Sequence, residues 1–146
     1  MTNQIKIVSK INPFKKTIEV GSDKSLSIRA VLLASQAIGV STISNLLESD
    51  DVLSAIGTIK KLGIECKKVG GIYKVLGYGL NGFNIKKKTI INAGNSGTLA
   101  RLVLGLLIKT EKVVKIVGDK SLSKRDFSRV TDPLREFGAN IKTKKN

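Results

Sequence analysis

The tightest constraint on the fold is a recurring change of apolar period, with a glycine at most of the changes. Apolar residues at helical spacing predict helices over 25–37, 51–62, 98–109 and 128–137. Gly39, Gly63 and Gly138 stand where a left-handed helix stop is usual. Between them, short β-rich or alternating runs predict strands over 4–8, 16–20, 40–46, 64–69, 72–76, 89–91 and 113–117, and a further strand beginning at Ile141. Asn12-Pro13 marks a turn, and Gly70-Gly71 between two such runs is a hairpin signal. The order is strand, helix, strand, helix, strand, strand, after which it begins again. An α/β chain built from βαβαββ units satisfies that order.

Composition narrows the chemistry. There is no histidine, which excludes histidine-based triads and removes most zinc or iron sites. Proton transfer is left to Lys, Asp, Glu, hydroxyls or water, and no metal site is expected. The one cysteine, Cys66, has no internal partner and suits a reducing compartment, so a cytoplasmic location is expected. The longest apolar runs, 30–34 and 102–108, fall far short of the roughly 20 residues a bilayer crossing needs, and no membrane association is expected. The net charge of +15 raises nucleic acid as a partner. Against this, the lysines are dispersed as pairs and triplets (Lys60-Lys61, Lys67-Lys68, Lys86-Lys87-Lys88), and aromatics at 4% are too few for a base-stacking platform. A cationic domain that gathers anionic metabolites fits the same charge.

Three basic clusters lie beside helix starts. Gly21-Ser22-Asp23-Lys24-Ser25-Leu26-Ser27-Ile28-Arg29 puts a turn, two cations and hydroxyls at the mouth of an apolar helix. Unpaired amides and the positive dipole end make such a place a cradle for phosphate or carboxylate. It is equally a Ser/Asp-capped helix with solvated bases. Gly94-Asn95-Ser96-Gly97-Thr98, with Arg101 one turn in, repeats the chemistry without a Walker A lysine or a third dinucleotide glycine. The third cluster is Lys120, Lys124, Arg125 and Arg129. Within it, Asp119-Lys120-Ser121-Leu122-Ser123-Lys124-Arg125 copies Asp23–Arg29 with one difference, by chance or through a duplicated βαβαββ unit. Together the clusters suit a ligand with several negative groups, or two anionic ligands side by side.

These residues resemble the 3-phosphoshikimate 1-carboxyvinyltransferase (EPSP synthase) family. Asp23-Lys24-Ser25-Leu26-Ser27-Ile28-Arg29-Ala30 and Asn45-Leu46-Leu47-Glu48-Ser49-Asp50-Asp51 match its first block. Gly94-Asn95-Ser96-Gly97-Thr98 matches its Gly-Asn-Ala/Ser-Gly-Thr motif. Gly118-Asp119, Ser121-Leu122, Lys124-Arg125 and Asp132-Pro133-Leu134-Arg135 match the next. The related UDP-N-acetylglucosamine enolpyruvyl transferase carries Lys-Asn where this chain has Lys24-Ser25.

The resemblance implies an inverse α/β barrel of βαβαββ units, here incomplete, and a cofactor-free reaction. The enolpyruvyl group of phosphoenolpyruvate passes to the 5-hydroxyl of shikimate 3-phosphate through a tetrahedral intermediate, and phosphate leaves. It implies that Lys24 is catalytic and contacts both substrates, that Ser25 and Arg29 bind shikimate 3-phosphate, and that Asn95, Gly97 and Arg125 bind phosphoenolpyruvate. Asp50 and Asp51 fit helix capping better than acid catalysis. Asp126 replaces a common proline and is placed to pair with Arg125, weakening that contact. The chain is about a third of a typical member. Residues 1–20 would be strands of the other domain, 21–23 a hinge, and 24–146 an incomplete substrate-binding domain. The family's catalytic carboxylates would lie beyond Asn146, so the expected partner is the missing C-terminal portion of a monomeric enzyme, and this chain alone is expected to be inactive. A basic nucleic-acid-binding module and a non-catalytic scaffold are the competing readings.

Overall fold

A computed structural model describes residues 6, 8–10, 12, 13 and 15–143. The elements run α1 (Lys24–Ala34), β1 (Ile38–Ile43), α2 (Asp50–Lys61), β2 (Glu65–Val69), β3 (Ile72–Tyr78), β4 (Thr89–Asn92), α3 (Gly97–Leu107), β5 (Val114–Val117) and α4 (Ser128–Glu136), with a 3₁₀ turn at Leu122–Lys124 before α4. The α/β character expected from the alternating periods holds.

β3 is the centre of an antiparallel sheet ordered β1-β3-β2, with Val40 opposite Leu76 and Cys66 opposite Val75. Gly70 and Gly71 join β2 to β3, both at positive φ, as a two-residue hairpin loop demands. β4 and β5 pair in parallel, Ile91 beside Ile116, and α3 makes the crossover that parallel strands require. The helices α1, α2 and α3 pack on one another and share one core. Ile28, Val31, Val52, Ile59, Val75, Ile91, Leu99 and Val103 are fully buried there, each worth about 1.5–3 kcal/mol against exposure.

Four expectations are corrected. α1 ends at Ala34 rather than 37, because the Ser35 hydroxyl donates to the Leu32 carbonyl at 2.6 Å and Ser35 becomes the cap. Gly39 is therefore no helix stop. It lies in β1, still at positive φ, opposite Gly77. Residues 16–20 form no strand: Ile18 and Val20 are exposed, and no described strand lies alongside to take up their backbone groups. Residues 141–143 form none either, while most of the strand expected over 4–8 lies outside the described residues.

The seven-residue copy is not a duplicated unit in register. Asp23 opens the first helix of the first unit, whereas Asp119 follows the second strand of the second. No described helix is long and apolar enough to cross a membrane.

Candidate anion site at two helix starts

At the first helix start, Asp23 takes extended backbone and its carboxylate accepts from the Leu26 N–H at 2.7 Å. Lys24 follows, and its Nζ lies 2.9 Å from Asp51 Oδ2. The lysine side chain is 52% exposed and the aspartate side chain only 17%, so the pair ties the lysine to α2 while leaving about half of its side chain open to solvent. Asp50 and Asp51 occupy the first turn of α2, where the dipole favours acids, but the capping position belongs to Ser49. Asp51 is thus the ionic partner of Lys24, a pairing across two helices that local spacing cannot reveal. Ser25 is half-buried. Arg29 is exposed, with no hydrogen bond or ion pair among the described residues. Ser27 is structural: it is buried and its hydroxyl accepts from the Leu47 N–H at 3.0 Å.

The second helix start is more fully built. Ser96 caps α3 by accepting from the Leu99 N–H at 3.3 Å. Arg125 Nη2 donates to Asn95 Oδ1 at 2.6 Å, and Asn95 Nδ2 donates to Asp119 Oδ2 at 2.6 Å. The two contacts fix the amide, with its oxygen toward the cation and its nitrogen toward the anion. Asp119 is itself fixed. Its backbone N–H donates to the Gly94 carbonyl, and its Oδ1 accepts from the Leu122 N–H at 2.6 Å. Hydrogen bonds from the Leu122 backbone and the Asn95 amide, helped by the charge of Arg125, hold its carboxyl below the ordinary carboxylate range.

Arg101 closes the other side. Its Nη1 reaches the Gly97 carbonyl at 3.4 Å and its Nη2 the Asp126 carbonyl at 3.1 Å, and its guanidinium lies 5.0 Å over the Phe127 ring. A Cβ on Gly97 would lie 2.8 Å from Nη1 of both Arg101 and Arg125. Only glycine leaves the two guanidinium groups that close to the first residue of α3. Two cations at a helix N-terminus make a site for phosphate or carboxylate.

The second and third sequence clusters therefore merge through Arg125, while Lys120, Lys124 and Arg129 remain exposed. No hydrogen bond or ion pair joins Lys24, Ser25 or Arg29 to Asn95, Gly97 or Arg125 among the described residues. The Asp126 carboxylate accepts from the Ser128 N–H and hydroxyl at 2.8 and 2.6 Å. Arg101 stood in the sequence motif without an assigned role. The signal for Asp119 was its place in the seven-residue copy, where Asp23 caps in the same way.

The model of the family described as EPSP synthase (3-phosphoshikimate 1-carboxyvinyltransferase) matches residues 8–146. The chain belongs to the EPSP synthase family. Among curated relatives, the 3-phosphoshikimate 1-carboxyvinyltransferase of Persephonella marina is 42% identical over 136 residues, covering 93% of this chain and 31% of the relative. That of a Sulfurihydrogenibium species is 39% identical over 141 residues, covering 97% and 32%. The solved EPSP synthase of Acinetobacter baumannii aligns with a TM-score of 0.78 at 32% identity, over 87% of this chain and 29% of that one. The chain thus spans about a third of the length of its EPSP synthase relatives, and its incomplete sheets accord with part of the family's domain.

Proposed function

We propose that this chain forms one wall of an enolpyruvyl transfer site acting on phosphoenolpyruvate and shikimate 3-phosphate. The observation that carries the reading is Gly97 flanked by Arg101 and Arg125 at the start of α3, with Arg125 oriented through Asn95 and Asp119. Phosphoenolpyruvate carries a phosphate and a carboxylate. Gly97, Asn95 and Arg125 bind it, the guanidinium fork and the helix-start amides meeting its oxygens. Ser25 and Arg29 bind shikimate 3-phosphate. Lys24 contacts both and is the catalytic residue here.

In the reaction, the 5-hydroxyl gives up its proton to a base outside this chain as its oxygen adds to C2 of phosphoenolpyruvate and another proton adds to C3, giving the tetrahedral intermediate. Loss of phosphate and of a C3 proton then yields 5-enolpyruvylshikimate 3-phosphate. Lys24, held by Asp51, offsets the charge that builds on the departing phosphate. In this reading residues 24–146 belong to the substrate-binding domain, 21–23 form a hinge, and 1–20 pair with the other domain. The carboxylates that move the protons lie outside this chain, so a coupled phosphate-release assay is expected to read no turnover.

Amide chemical-shift titration of the 146-residue chain tests the binding step. Phosphoenolpyruvate should shift the Gly97 and Thr98 amides. That shift should vanish in Arg125→Gln and survive in Lys60→Gln/Lys61→Gln. Equal loss in both variants would overturn the reading.

A further inference from the structure

Two lysine groups that look dispersed in the sequence meet in the fold. Lys60 and Lys61 form the last turn of α2, and Lys86, Lys87 and Lys88 lead into β4, against which α2 packs. Both sides are fastened by hydrogen bonds. Lys61 Nζ donates to the Ile90 carbonyl at 2.9 Å, and the Thr89 hydroxyl donates to the Lys86 carbonyl at 2.8 Å. Between them lies a shallow, open cavity of about 480 Å³ lined by the five lysines, Thr89 and Ile90.

No acidic residue lines it. Three other lysines, Lys24, Lys67 and Lys68, are paired with Asp51, Glu65 and Glu48. Here Lys61 bonds only a carbonyl, and the other four have no ion pair among the described residues. Lys88 also sits at a φ of 61°, a left-handed conformation that disfavours a side chain. All five lysines are exposed and border the same open region. Like charges brought to one surface region repel each other, and a multivalent anion lowers that repulsion. The lining holds no aromatic ring to stack a base and no carboxylate to hold a sugar.

We propose that this cavity binds an oligophosphate, a run of two or three phosphates that is either free or the tail of a nucleotide. It shares no residue with the Gly97 site, and the inference stands whether or not that site binds phosphoenolpyruvate.

Calorimetric titration of the 146-residue chain with sodium tripolyphosphate tests it. The tightest site is expected to weaken steeply with salt. The combined Lys60→Gln/Lys87→Gln/Lys88→Gln variant should bind at least about tenfold more weakly, while Lys24→Gln and Arg125→Gln stay within about twofold of the parent. Adenosine triphosphate separates the sources: equal affinity assigns the phosphate chain alone, and tighter binding assigns a nucleotide tail. Affinity unchanged in the triple variant, equal loss in Lys24→Gln, or an oligonucleotide displacing tripolyphosphate from these lysines at lower concentration would each overturn the proposal. Amine acylation of the unmutated chain gives a reading independent of variant folding. Tripolyphosphate should protect Lys60, Lys61 and Lys86–Lys88 but not Lys74 or Lys115, and uniform protection would sink the idea.

Discussion

Asp23–Arg29 and Asp119–Arg125 differ at one position in seven, yet one opens an eleven-residue helix and the other a three-residue turn. Their first turns are the same. Each aspartate side chain accepts from the N–H three residues on, Leu26 at 2.7 Å and Leu122 at 2.6 Å. Each aspartate carbonyl accepts from the next N–H, Ser27 at 3.0 Å and Ser123 at 2.9 Å. They then bury opposite side chains. Leu26 is 62% exposed where Leu122 is 3% exposed, and Ser27 is buried where Ser123 is exposed. The one difference in sequence accords with the divergence. Ile28 enters the core within α1, whereas Lys124 stays in water and the backbone turns extended at Arg125. That turn sends Arg125 to Asn95. Local sequence fixes a cap, and burial decides what the cap begins.

Erasing the difference should have the largest effect. Ile28→Lys makes the two stretches identical but buries an unpaired ammonium at a fully buried position. A loss of at least about 3–5 kcal/mol is expected, enough to abolish the cooperative thermal transition seen by circular dichroism. A folded variant with parental melting would refute the account. Next come the two leucines. Leu122→Ala should cost about 2–5 kcal/mol in urea denaturation, and Leu26→Ala no more than about 0.5 kcal/mol. Equal costs would show that the stretches are packed alike.

The smallest effect expected is a pH response at the Asp119 contact. The folded state holds the Asp119 carboxyl below its ordinary value through the Leu122 and Asn95 hydrogen bonds. Its contribution is therefore complete above the ordinary aspartate range and is lost as pH falls through the lowered folded value. The Asn95 side-chain amide should keep its chemical shift down to that range and move only below it. In Asp119→Asn the movement should disappear. Movement at higher pH would contradict the assignment.

The helices were legible because caps and apolar spacing are local properties. α2 and α4 begin and end within a residue or so of expectation, and Gly63 and Gly138 follow their ends at positive φ. The end of α1 was not, since a side chain bonding its own backbone at Ser35 overrides the run of alanines. The 16–20 run has strand alternation, but pairing is a property of neighbours, and no described strand lies alongside. In the candidate site the residue types and the Gly97 turn were visible. The Lys24–Asp51 pair, the Asn95–Asp119 contact and the junction of Lys60–Lys61 with Lys86–Lys88 join positions far apart in sequence, and periodicity carries no information about them.

The β1-β3-β2 order sets a timetable. The β2–β3 hairpin closes in about 1–10 μs once its residues are available, because only two residues separate its strands. β1 is made first, but among the described residues it pairs only with β3, Ile43 with Tyr73 and Ile38 with Tyr78. At roughly 5–20 residues per second on a ribosome, the intervening synthesis leaves β1, with its exposed Ile38 and Val40, waiting seconds for a partner. The edge of β1 that β3 covers therefore stays open from the synthesis of β1 until β3 emerges.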